Sequence, residues 1–258
     1  MKQIIFILLS AFILSGCNQK GKASGDSGED SKLTFLTKDY KLSSTIGKGD
    51  ETTVTASIVT AEGESEAAKK INNKVFDTVK LIVGQEGDAS TGYDVLFTGF
   101  ITTYEGFVNE NPDYPGAWEA DITSTVEYNT PEILNIKIES YTMTGGAHGN
   151  PNTTSLLFDS KNGKGLTMTD IVNDTIAISE IAEKKFREKN NITTDKSLNS
   201  AGYMFSGDKF VLPQNIFVTK EGLVLFYNVY EIAAYVNGTT ELLLPYDEIK
   251  NYLSVKLQ

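Results

Sequence analysis

The stretch TTVTASIVTAEGESEAAKKINNKVFDTVKLIV, residues 52–83, changes its hydrophobic period part-way. Thr52 to Thr60 is rich in β-branched residues and reads as a strand, paired across Gly47-Lys48-Gly49-Asp50 with an alternating run at Leu33–Leu42. From Ala68 the apolar residues recur as Ile71, Val75, Val79 and Ile82, at steps of three and four, with Lys69, Lys70, Asn72 and Lys80 between them. That spacing predicts an amphipathic helix over about Ser65–Val83, stopped by Gly84. A hairpin that feeds a packing helix is the first unit of the fold.

Downstream, strand patterns dominate. Asp94 to Val108 fits either an extended or a weakly helical segment, and Asn109–Gly116 is a proline-containing loop. Trp118–Tyr128 and Ile133–Met143 alternate about a turn at Asn129–Glu132, and Ser155–Asp159 follows as a strand. A second helix, capped by Asp174, carries Ile176, Ile181, Ala182 and Phe186 and ends at Asn190-Asn191. Lys209–Leu212, Ile216–Thr219, Leu223–Val229 and Glu241–Pro245 read as strands, and Tyr246–Leu253 as a short final helix. Runs of strands broken by two packing helices predict an α+β fold with a mostly antiparallel sheet. The expected division is an N-terminal module at 33–145 and a C-terminal module at 146–258.

The first residues set the expected address. Lys2 precedes the apolar run Ile4–Leu14, which is short for a membrane span and suits a cleaved signal. Ser15-Gly16 then leads to Cys17, the single cysteine. Residues 1–16 are therefore expected to be a lipoprotein signal peptide, with the mature chain acylated (palmitate-type) on Cys17 and held to a membrane. Residues 17–32 are Gly- and Ser-rich with no large apolar side chain, and read as a flexible linker reaching about 20 Å. The expected location is the cell envelope, lipid-anchored on the periplasmic or cell-surface side, with the outer membrane as the expected bilayer.

The chain of 258 residues has a formal charge of −11. That balance disfavours nucleic acid, which asks for a basic stripe, and favours a cationic partner or simple solubility. A single cysteine leaves no disulfide framework.

Tyr141-Thr-Met-Thr-Gly145-Gly146-Ala147-His148-Gly149-Asn150 is the sharpest local signal. Its glycines permit left-handed backbone or close approach, and His148 is the only histidine. His148 reads either as a ligand-contacting or basic group, or as an imidazole bonded to backbone in a tight crossing. It has no second histidine or further cysteine with which to share a metal. Tyr227, Tyr230, Glu231 and Tyr235 form an aromatic and acidic group suited to a sugar or protein surface, against the alternative of ordinary strand packing. The candidate ligand-binding residues are thus Gly145, Gly146, His148, Tyr227, Tyr230, Glu231 and Tyr235. No catalytic residue, metal site or cofactor is assigned.

The Gly-Gly-Ala-His run, with Leu156-Leu-Phe-Asp159, Gly165-Leu-Thr-Met-Thr-Asp170-Ile171 and the tail Gly222-Leu-Val-Leu-Phe-Tyr227-Asn-Val-Tyr230-Glu231-Ile232-Ala233-Ala-Tyr235, resembles the extracytoplasmic region of the RsiV-like family. That family comprises two adjoining modules of unknown function, found in anti-sigma factors whose outer part binds lysozyme, beside the catalytic domain of some peptidoglycan deacetylases, and in many lipoproteins. The resemblance implies an α+β fold without a catalytic role for the modules themselves. It does not carry over sigma-factor signalling, since no membrane span with a cytoplasmic part is visible. Nor does it carry over deacetylation, since the metal-binding Asp and His pattern is missing. The expectation is a non-enzymatic, lipid-anchored envelope protein that binds a protein or glycan ligand, with lysozyme or peptidoglycan as candidate partners. The alternative is an envelope hydrolase acting on cell-wall glycan through carboxylates and His148.

Overall fold

The computed structural model describes residues 32–255 and 257. The leader, Cys17 and all of the linker before Lys32 lie outside the described residues. Among the described residues, no helix is long and apolar enough to cross a membrane.

Strand β1 (Phe35–Ser44) and strand β2 (Thr52–Ala61) form the expected hairpin, in register from Phe35↔Ala61 to Ser44↔Thr52. Val54, Ala56 and Ile58 on β2 point to one face and are buried. Helix α1 (Glu66–Val83) lies on that face. The Ser65 hydroxyl accepts the Ala68 N–H at its start, which supplies one of the orphan donors of the first turn. Ala68, Ile71, Val75 and Val79 form its buried stripe, as the spacing predicts.

Residues 94–108, open between two readings in the sequence, are helical. Helix α2 (Tyr93–Glu110) buries Leu96, Phe97, Phe100, Ile101, Tyr104 and Val108 on the same face of the sheet. Together α1 and α2 make a crossover, so strand β3 (Glu119–Asn129) pairs parallel with β2, Val54 opposite Ala120. This is a parallel pair in a sheet that is otherwise antiparallel. Strands β4 (Ile133–Met143), β5 (Asn150–Asp159) and β6 (Gly165–Leu166) complete the order β1-β2-β3-β4-β5-β6. The residue 145 boundary expected from sequence falls in the connection between β4 and β5, which pair with Tyr141 opposite Pro151.

After β6 come a short helix α3 (Met168–Ile171) and helix α4 (Thr175–Lys189), capped by the Asp174 carboxylate on the Ala177 N–H. A second sheet follows, β7 (Asn215–Val218), β8 (Gly222–Tyr227) and β9 (Thr240–Pro245), all antiparallel, and then helix α5 (Tyr246–Ile249). Residues 209–212, expected as a strand, are not one. Phe210 packs against Phe186 and Phe205, and the Val211 carbonyl goes to a tyrosine hydroxyl rather than to a neighbouring strand.

The alternation of β4 and β5 divides their side chains between two cores. Leu134, Ile136, Ile138, Leu156 and Phe158 join the core under α1 and α2. Ile133 and Leu157, pointing the other way, join the core of α4 and the second sheet. Polar side chains fasten β7 to β4 and β5. The Asn135 amide, fully buried, accepts the Val218 N–H at 2.9 Å and donates to the Ser155 hydroxyl and the Leu156 carbonyl. The Ser155 hydroxyl donates to the Ile216 carbonyl, and Asn215 accepts the Ser155 N–H at 2.9 Å. Side chains here satisfy strand backbone that no further strand covers.

Candidate functional site

The β4–β5 connection reverses the chain within a few residues. Gly145 and Gly146 take φ of 112° and 95°, in the left-handed region where a side chain is strained, which accounts for the glycine pair. Gly149 is buried, and a Cβ there would fall 2.2 Å from the Tyr141 ring. The tight packing of Tyr141 over Gly149 sets the position of His148 beside it.

His148 is exposed and both of its ring nitrogens are engaged. The Gly149 carbonyl can only accept, so Nδ1 donates to it at 2.9 Å. In the neutral ring Nε2 is then the acceptor, and the Tyr230 hydroxyl lies 3.3 Å away to donate to it. The imidazole stacks on the Tyr235 ring, with centroids 4.1 Å apart and planes 24° apart. The Tyr235 hydroxyl donates to the same Gly149 carbonyl at 3.3 Å. Tyr230 and Tyr235 sit 5.5 Å apart, so three rings form one surface cluster.

The segment that carries the two tyrosines is pinned to β5. The Asn228 side chain accepts the Thr153 N–H at 2.7 Å and donates back to the Thr153 carbonyl at 2.9 Å, as a strand partner would. The Glu231 carboxylate accepts the Asn228 N–H at 2.8 Å and closes the turn. Its pKa is raised by burial, partly opposed by that backbone hydrogen bond. Tyr230, at the outer end of this turn, has φ of 65° and is 56% exposed. A tyrosine in left-handed backbone costs free energy that packing does not repay at an exposed position.

Tyr227 lies elsewhere. It is buried in the second core, its hydroxyl donates to the Val211 carbonyl at 2.7 Å, and burial raises its phenol pKa well above the ordinary range. The structure therefore brings together His148, Tyr230 and Tyr235, with Glu231 in the same turn and Gly145 and Gly146 in the bend before His148. Tyr227 is a core residue. Tyr141 and Asn228 were not singled out from sequence, although both position the cluster. Their only signal there was adjacency to the Gly-Gly-Ala-His and Tyr-rich runs.

Chemically, the cluster offers aromatic surface with polar tips. The partners of the imidazole are a carbonyl and phenols, not a carboxylate. Among the described residues, no group of three His, Cys, Asp or Glu side chains is placed to share a metal ion.

Two family models match separate parts of the chain. Residues 47–151 match the family model described as "Deacetylase PdaC", and residues 169–247 match that of the "Protein of unknown function (DUF3298)". The chain carries both modules of the expected pair. No curated protein matches it. A DUF3298 family member from Bacteroides fragilis has a similar fold, with a TM-score of 0.68 at 20% identity, covering 86% of this chain and 94% of that one. A DUF3298 family protein from Pseudomonas aeruginosa is similar at a TM-score of 0.63 and 20% identity, over 89% and 98%. The residues matched by the first model hold α1, α2 and β2 to β4, and those matched by the second hold α4 and the second sheet.

Proposed function

We propose that this DUF3298-type protein is lipid-anchored in the cell envelope through Cys17 and binds a protein or glycan ligand there without altering it chemically. The observation that carries this reading is the surface cluster of His148, Tyr230 and Tyr235, whose polar atoms are held by one another and by the Gly149 carbonyl. Aromatic residues with polar tips suit recognition of sugars and of protein surfaces. Holding Tyr230 outward in left-handed backbone is a cost that a binding role offsets.

The deacetylase in the description of the first model belongs to that family. The sequence resemblance puts such modules beside a catalytic domain, which supports a binding role for the pair here. The acidic balance of the chain suits a cationic ligand such as a lysozyme, and the expected envelope address suits peptidoglycan.

Two measurements test the proposal. Soluble protein spanning residues 32–258 is immobilised and offered lysozymes and peptidoglycan fragments. Retention of one of them, weakened about tenfold in Tyr230→Ala, is the expected result. Retention of neither overturns the reading. Intact mass of the protein purified from its native membrane reads the anchor, and a first residue without acyl mass removes it.

A further inference from the structure

A second feature lies apart from the His148 cluster. A cleft of about 180 Å³ opens where the outward face of β3 and β4 meets the second sheet. One wall is aromatic: Phe217 and Phe226 meet edge to face, 5.8 Å apart at 85°. The opposite wall is charged. Glu127 and Glu139 flank Lys137, whose ammonium lies 3.4 Å and 3.2 Å from their carboxylates, and Glu241 joins them from β9. Burial works against the charge on Lys137, yet its pKa is raised, because the two glutamates outweigh that effect.

Three carboxylates against one ammonium leave the cleft short of positive charge. Its volume is below the roughly 300–1,000 Å³ of sites for drug-sized ligands. It suits one long side chain rather than a cofactor or an oligosaccharide. An anion would face repulsion, and a purely apolar group would strip water from the carboxylates with nothing in return. A lysine or arginine satisfies both walls, with its methylene stem along the phenyl rings and its cation against the glutamates.

We propose that this cleft between the two sheets receives the side chain of a lysine or arginine presented by a partner polypeptide. Thr153 lines the cleft and sits four residues beyond Gly149, about 13 Å along β5. One partner surface can therefore reach both the cleft and the tyrosine cluster. The proposal does not depend on that cluster, whose test uses Tyr230 variants.

The test is calorimetric titration of the protein with oligolysine, with oligoglutamate as the control. Oligolysine is expected to bind and oligoglutamate is not. The double variant Glu139→Gln, Glu241→Gln is expected to weaken binding about tenfold. The variant Glu64→Gln, Glu66→Gln changes net charge equally, away from the cleft, and is expected to keep wild-type affinity. Lys137→Met removes the resident cation of the cleft and is expected to tighten binding, a direction that misfolding does not mimic. Equal weakening by the two double variants would mean attraction to overall charge only, and would overturn the proposal. So would oligolysine that fails to bind, or Lys137→Met that binds no more tightly.

Discussion

The Asn135 side-chain oxygen accepts the Val218 backbone N–H at 2.9 Å, a hydrogen bond between residues 83 apart in sequence that joins the two sheets. The same amide donates to the Ser155 hydroxyl and the Leu156 carbonyl. Asn135 is fully buried, so none of these groups has water as a substitute. Asn135→Ala leaves the Val218 donor unpaired at depth and is expected to destabilise the fold by about 3 kcal/mol. Urea unfolding reads this as a lower midpoint with an unchanged slope.

Gly163 closes the turn from β5 to β6, and α1 lies against it. Its φ is 69°, and a Cβ there would fall 2.6 Å from the Ala67 carbonyl oxygen and 2.9 Å from the Ala67 Cα. Backbone cannot swing away as a side-chain tip can. Gly163→Ala is expected to cost about 2 kcal/mol or more, since strain and clash act together. Gly165→Ala, with open space at its Cβ, is expected to be far milder, and thermal melts of the two variants side by side read the difference.

Tyr230 sets stability against binding. Its left-handed backbone suits glycine, and its ring is mostly outside the core. Tyr230→Gly is expected to stabilise the protein by up to about 1 kcal/mol while weakening ligand retention. Denaturation and pull-down on the same preparation read the two effects. Loss of stability with unchanged retention would make Tyr230 a packing residue.

Asp170 ties acid stability to the start of α3. Its carboxylate accepts the Thr167 N–H and hydroxyl and pairs with Lys164, which holds its pKa down to about 2 from 3.8. A depressed acid contributes stability above its unfolded pKa and loses it as the pH falls through the folded value. That contribution is full above 3.8 and fades between 3.8 and about 2. Asp170→Asn is expected to flatten the dependence of unfolding midpoint on pH over that window and leave its slope at higher pH unchanged.

The hairpin and α1 were legible because Ile71, Val75 and Val79 keep strict helical spacing between charged residues. Helix α2 was not. Thr98, Thr102 and Thr103, with Gly99 and Gly106, are weak helix formers, and Val95 puts an apolar side chain on the exposed side. What makes it helical is burial of Leu96, Phe97, Phe100 and Tyr104 against the sheet, a tertiary effect. The parallel pairing of β2 with β3 likewise depends on both helices forming the crossover. Phe210 and Leu212 alternate as a strand would, but Phe210 is claimed by the aromatic cluster around Phe186.

At the candidate site, the motif runs located His148, Tyr230 and Tyr235, and the fold brought them within stacking distance. Tyr227 stands three residues before Tyr230, yet alternation on β8 turns it into the core. The role of Asn228 was not readable in sequence. It follows from the free edge of β5 at Thr153, which only the folded arrangement reveals.

The central claim is binding without chemical change. Peptidoglycan fragments and lysozyme are incubated with the soluble protein, and the mass spectrum of bound and free material is recorded. The expected result is a ligand co-eluting with the protein at its starting mass, displaced in Tyr230→Ala. Loss of acetyl groups or cleaved glycan in the wild-type sample, absent from the protein-free control, would contradict it.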